Sequence, residues 1–295
     1  MFAVVGTIPD NRFPLIEGEA KLKDDKILIE GREVSINRGT PALIAAALKT
    51  CEVLDISGPS VFVVGDIGTG EGSKRLYEYL SDNLKNRTFN NITFHYLQPD
   101  VDWHNKVLFS IEEMVNRPIL IADAGFMYAA KMSGQAHSYD LFTPDTGELS
   151  FLADEEAPHP FYTRGFILHE DNRIPELIVR AYKHSNAPHI LIVKGKKDYI
   201  ANEKGIQAIV DYPIEEALEA IGGTGDTLTG ILSALITADN EILQAAILSA
   251  KANRFAGHLT SPSPSTQVIE IIRHIPTAIK ELLKTNRGFC GKIYQ

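Results

Sequence analysis

The chain has 295 residues, 44% hydrophobic and 23% charged, an ordinary globular mix able to bury a sizeable core without a metal or disulfide staple. Its 29 Lys and Arg against 38 Asp and Glu give a formal net charge of −9, the wrong sign for a protein that lives on nucleic-acid phosphates. Two cysteines, Cys51 and Cys290, exclude a disulfide framework and a four-ligand zinc site and suit a reducing cytoplasm.

The opening FAVVGTIPDNRFPL has no basic start and soon breaks its apolar run, so no signal peptide is expected. No apolar stretch approaches the roughly 18 residues of a membrane helix, and no membrane partner is expected. AKLKDDKILIEGREVSI reads as a hairpin turning at Lys23, Asp24 and Asp25. Thr40 then Pro41 reads as a helix start, with a capping hydroxyl before a proline, and ALIAAALKTCEVL continues the helix. SVFVVG is a buried strand that runs into the glycine cluster GDIGTGEGS and then a helix, KRLYEYLSDNL. NITFHYL and RPILIAD are further strands, and Trp103 with His104 is assigned to a polar loop between them. HILIVKG and DYIANEKGIQAIV read as strands around a turn. After a second glycine cluster, Leu228, Ile231, Leu232 and Leu235 fall at helical spacing, and two more helices follow, ILQAAILSAKANRFAGHL and VIEIIRHIPTAIKELLK. SPSPSTQ at 261–267 is a loop. Strands alternating with helices predict an α/β fold, its central sheet mainly parallel with helices on both faces. The whole chain, 1–295, is read as a single domain whose first 38 residues form strands or a hairpin.

In such sheets ligands gather beyond the carboxyl ends of the strands, where helix N-termini meet. GGTGDTLTG at 222–230 is the stronger candidate. Its glycines allow close backbone approach, and the following helix aims its first amides and positive dipole end at an anion. Asp226 stands in that first turn, either complementing the dipole or accepting a proton from a substrate hydroxyl beside a phosphate. Lys194, Lys196 and Lys197 make a local basic patch in an acidic chain, although lysines flanking a strand are as often simply solvated.

GGTGDTLTG resembles the glycine–aspartate signature of the ribokinase-like superfamily, and in particular that of the ATP- or ADP-dependent NAD(P)H-hydrate dehydratases, its carbohydrate-kinase-like branch. VVGDIGTG at 63–70, LIADAGF at 120–126, LFTPDTGEL at 141–149 and LIVKGKKDYIA at 191–201 are similar to that family's other motifs, in its order. VIEIIRHIPTAI resembles its closing helix, so the resemblance spans about residues 40–285. It implies a ribokinase-like fold and adenine-nucleotide-dependent dehydration of hydrated NADH or NADPH. Lys194, Gly195, Lys196, Lys197 and Asp198 would line the nucleotide, with Gly223, Thr224 and Gly225 at its phosphates. Gly68, Asp123, Asp145 and Asp226 would face the substrate, and Asp226 would be the catalytic acid–base. The implied cofactors are ADP or ATP with Mg2+; no metal site of the protein's own is assigned. The chain would act in the cytoplasm on a small molecule, and a homo-oligomer is allowed.

The chain departs from the family where Thr143-Pro144-Asp145-Thr146-Gly147-Glu148 replaces Thr-Pro-His-Pro-Gly-Glu, putting a carboxylate in place of an imidazole. Pro158-His159-Pro160 imitates the missing motif but is read as loop. His159, His169, His184 and His189 show no metal-ligand spacing and are assigned to surface loops. Three other readings stay open: a small-molecule kinase of the same fold, a non-catalytic nucleotide sensor, and a methyltransferase binding S-adenosylmethionine at DIGTGEG, with Asp100 for the ribose.

Overall fold

The computed structural model describes residues 1–156 and 173–290; Pro158-His159-Pro160 and His169 lie outside them. The chain divides into two compact units, one of Met1–Glu19 with Ser60–Ile209, the other of Ala20–Pro59 with Val210 onward.

The first unit is built on a sheet. Its strands are β1 (Ala3–Ile8), the first half of β2 (Ile16–Lys23), β5 (Ser60–Gly65), β6 (Asn91–His95), β7 (Ile119–Ala122), β8 (Leu141–Phe142), β9 (Ile190–Val193), β10 (Asp198–Asn202) and β11 (Gly205–Val210). They lie in the order β11-β10-β9-β8-β7-β6-β1-β5-β2. The six strands from β9 to β5 are parallel, while β10 and β2 flank them antiparallel. The apolar runs SVFVVG, ILIA and ILIV are almost continuously buried, as expected of parallel strands covered on both faces. Helices α2 (Glu71–Asn83), α3 (Val101–Glu112), α4 (Gly125–Met132), α5 (Thr146–Ala153) and α6 (Ile174–Lys183) carry the chain back between strands. Phe62, Phe94, Phe126, Phe142 and Tyr139 are fully or almost fully buried in its core. Because the six strands are parallel, all their carboxyl ends emerge at one edge.

The second unit contains the rest of β2, which pairs with β3 (Lys26–Ile29), itself paired with β4 (Arg32–Ser35). The expected hairpin is thus a three-stranded meander. Its second turn is made by Glu30 and Gly31, at φ 44° and 77°. Helix α1 (Thr40–Leu54) packs along α7 (Thr224–Thr237) and α9 (Val268–Cys290), and α8 (Ile242–Leu259) packs against α7 and α9. The contact between α1 and α7 is close because Gly230 has no side chain: a Cβ there would lie 2.2 Å from the Leu43 carbonyl oxygen.

Two local expectations are corrected. The cap of α1 is Gly39, at φ 71°, and Thr40 is the first helical residue, so the cap stands one residue earlier than expected. Trp103 and His104 lie in α3 rather than in a loop; its N-cap is Asp100, whose carboxylate accepts the Trp103 amide at 3.0 Å. His104 is completely buried between Tyr139 and Ser133. Among the described residues no helix is long and apolar enough to cross a membrane.

Candidate functional site

In the first unit the parallel sheet sets its chemistry-bearing residues along one edge. The loop after β5 folds around Asp66. Its carboxylate accepts the amides of Gly68 (2.9 Å), Gly70 (3.1 Å) and Ser73 (2.8 Å) and the Ser73 hydroxyl (2.9 Å). Burial works against the charged form, but these hydrogen bonds outweigh it and hold the carboxyl below its ordinary range. Gly68 and Gly70 have φ of 99° and 84°, which glycine alone adopts without strain. A Cβ added at either would come only into ordinary contact with the Gln98 side chain, at 3.8 and 3.7 Å.

β6 ends in His95, fully buried, and past it stands Tyr96, half-exposed, their rings edge to face at 4.5 Å. Past β7 is Asp123, only 2% exposed. It pairs with Lys194 Nζ at 2.9 and 3.1 Å, stands 3.9 Å from His95 Nε2 and accepts the Ala124 amide at 2.8 Å. Asp145 follows β8 as the N-cap of α5. It takes the Glu148 amide, Glu148 returns the bond to the Asp145 amide, both at 2.7 Å, and a capping box is complete. The carboxylate that replaces the family's imidazole is thus engaged in starting a helix. Burial, reinforced by the Asp145 charge, raises the Glu148 carboxyl above its ordinary range. Past β9, Lys194 bonds through its amide to the Pro144 carbonyl oxygen, Gly195 donates to Asp198 at 3.2 Å, and Lys196 and Lys197 are exposed.

The structure therefore brings Gly68, Asp123, Asp145 and Lys194–Asp198 to the carboxyl ends of one parallel sheet. It corrects the three-lysine patch: Lys194 turns inward to Asp123, leaving two exposed lysines. His95, Tyr96 and Asp66 were not among the residues singled out from sequence. His95 ends a strand buried along its whole length, where alternation gives no signal.

In the second unit the glycine–aspartate segment begins α7. Gly223, at φ 100°, is the N-cap and has no side chain of its own to cap the helix. As at any helix start, the first amides have no carbonyl partner in a preceding turn. A Cβ at Gly223 would approach Val268 to 3.1 Å and the Arg38 Cα to 3.2 Å, so this position needs glycine for space as well as for φ. Asp226 is largely buried, and its Oδ2 accepts the Gly39 amide at 2.6 Å. Asn253 of α8 fastens the first turn, donating to the Thr224 carbonyl at 2.9 Å and accepting the Thr227 hydroxyl at 2.6 Å.

A family model described as NAD(P)H-hydrate dehydratase matches residues 99–277. The chain belongs to that family. The match takes in Asp123, Asp145, Lys194–Asp198 and Gly222–Asp226 and begins after Gly68. An uncharacterized protein of Methanocaldococcus jannaschii, MJ1337, is 43% identical over 82% of this chain and 100% of its own. Among solved structures, the ADP/ATP-dependent NAD(P)H-hydrate dehydratase of Bacillus subtilis, co-crystallised with ATP and Mg2+, superposes with a TM-score of 0.58 at 15% identity, over 95% of this chain and 89% of that one. A ribokinase-like superfamily protein from Enterococcus faecalis gives 0.55 at 15% identity, over 95% and 86%. The fold is ribokinase-like. Membership of the dehydratase family displaces the methyltransferase reading, and in the structure Asp66 takes the amides of Gly68 and Gly70 in the loop on which that reading rested.

Proposed function

We propose that the protein dehydrates hydrated NADH or NADPH at the expense of ADP or ATP, and that it does so in the cytoplasm. The observation that carries the reading is the gathering of Gly68, Asp123, Asp145 and the 194–198 segment at one carboxyl edge, in a chain of the NAD(P)H-hydrate dehydratase family. Gly68, Asp123 and Asp145 would meet the dinucleotide. The exposed turn at Gly195–Lys197 would meet the adenine nucleotide, and space is open at Gly195, where an added Cβ finds no atom nearer than 3.6 Å.

The glycine-opened start of α7 fits an anion, because the amides of Thr224 to Asp226 and the helix dipole favour negative charge. Bound nucleotide would supply phosphoryl chemistry that turns a hydrate hydroxyl into a leaving group, and Mg2+ would accompany its phosphates. Asp226 would take and return the proton at its carboxylate, with the Gly39 amide fixing Oδ2.

The test is turnover of hydrated NADH with ATP or ADP, wild type beside Asp226→Asn. General acid–base catalysis contributes about 10² to 10⁴ in rate, so the variant should fall by that factor while still binding nucleotide. A variant that keeps more than about a tenth of the wild-type rate removes Asp226 from the chemistry. No dehydration by the wild type, with a small hydroxylated compound phosphorylated instead, makes the protein a kinase. Nucleotide binding without either reaction makes it a sensor.

A further inference from the structure

Eight described non-glycine residues have positive φ, and Tyr96, at 53°, is the one aromatic among them. A bulky L-residue at positive φ is strained, and such strain persists where the surroundings impose it, commonly at ligand sites. Here the surroundings are visible. The Thr7 hydroxyl donates to the Tyr96 carbonyl oxygen at 3.0 Å. On the next strand end Ala124 also has a positive φ, 51°, and the two turns meet backbone to backbone: a Cβ at Gly125 would lie 2.4 Å from the Leu97 carbonyl oxygen.

The strain is not offset by burial of the ring. Tyr96 is 49% exposed, whereas Tyr77 and Tyr139 of the same unit are 1% exposed. Its place in the sheet gives the ring a use. In the order β5-β1-β6-β7-β8, Gly68 follows β5, Tyr96 follows β6, and Asp123 and Asp145 follow β7 and β8. With strands about 4.8 Å apart, a ligand reaching from Gly68 to Asp123 spans about 14 Å and crosses the end of β6 on the way. Ile67, 60% exposed on the glycine loop, adds an apolar surface on the β5 side.

From these positions we infer that Tyr96 is a substrate-binding residue, its ring serving as the platform for a flat heterocycle of the dinucleotide. This rests on the functional reading above, which assigns Gly68, Asp123 and Asp145 to that substrate. Asn tolerates the left-handed region far better than Tyr and removes the ring. Base–aromatic stacking is worth about 1–3 kcal/mol, so Tyr96→Asn should raise KM for hydrated NADH about tenfold or more. ATP affinity, read by calorimetry, should not move, and Tm should hold or rise as strain is relieved. Tyr96→Phe, which keeps the ring, should stay within about twofold of wild type in KM.

Hydrated nicotinamide mononucleotide, which lacks the adenylate half, locates the ring. A Tyr96→Asn effect that persists with it puts the nicotinamide side on Tyr96, and one that vanishes puts the adenine there. A fall in Tm with KM unchanged would make the ring a packing element and overturn the inference while leaving the dehydratase reading intact. No turnover and no nucleotide-induced stabilisation in wild type would overturn both.

Discussion

Two glycine loops run into helices in this chain, 66–72 before α2 and 222–226 before α7, and in sequence they look alike. Their difference lies in where the carboxylate stands. Asp66 precedes its glycines, so its side chain reaches forward and takes the amides of Gly68, Gly70 and Ser73. Asp226 follows its glycines, lies inside the helix, and gives Oδ2 to the Gly39 amide instead. The first loop fills its own anion-binding geometry with the Asp66 carboxylate. The second has a glycine at the N-cap of its helix, and its first amides and positive dipole end suit an external phosphate.

That contrast is broken most directly by Asp66→Ala. Three amides and a hydroxyl lose a charged acceptor, and we expect about 3 kcal/mol of lost stability by urea unfolding. If the carboxylate stands where an anion would, the variant should also gain more Tm from added phosphate than wild type does. An unfolding midpoint equal to wild type, or no extra response to phosphate, would mean that the loop does not depend on Asp66.

The second loop is supported differently, by close helix packing. Gly230→Ala would set a Cβ 2.2 Å from the Leu43 carbonyl oxygen and 3.0 Å from the Ala46 Cβ, both in α1. Overpacking of this kind costs about 1–3 kcal/mol. Because Gly39 begins α1 and holds Asp226, a shift of α1 against α7 should lower kcat as well as Tm. A variant of normal Tm and normal kcat would show that this spacing is soft and does not position Asp226.

Much of this was legible in the sequence. Buried runs ending in glycine or aspartate predicted the parallel strands, and the ordered motifs predicted the family. What stayed hidden has physical causes. Helix α5 is buried on almost every side, so it shows no amphipathic period, and its start is marked only by the box of Asp145 and Glu148. The segment with Trp103 and His104 looked polar because α3 shows Asp102, Asn105 and Lys106 to the sequence reader, whereas His104 pairs inside the core. The inward turn of Lys194 depends on Asp123, 71 residues earlier, and no local pattern carries it. Tyr96 is found only through its φ, a property of the backbone.

The smallest expected effect again separates the two regions, because the first rests on a buried imidazole. His104 Nε2 is 2.8 Å from the Tyr139 hydroxyl and Nδ1 is 3.1 Å from the Ser133 hydroxyl. Burial lowers the imidazole to about 4, from the 6.5 of an unfolded chain. Between those values the unfolded chain binds a proton that the folded chain does not, so stability falls as pH falls through 6.5 and goes on falling toward 4. From pH 7 to pH 5.5 His104 should contribute a loss of about 1 kcal/mol. His104→Gln keeps polar atoms in the site without titrating there, so the difference between the two proteins' unfolding free energies should shrink by that amount over this range. The variant's nucleotide-induced Tm shift, assigned to the turn at Gly195–Lys197 and the start of α7, should keep wild-type pH dependence. A parallel pair of stability curves from pH 7 to 5.5 would show that His104 is protonated in the folded protein.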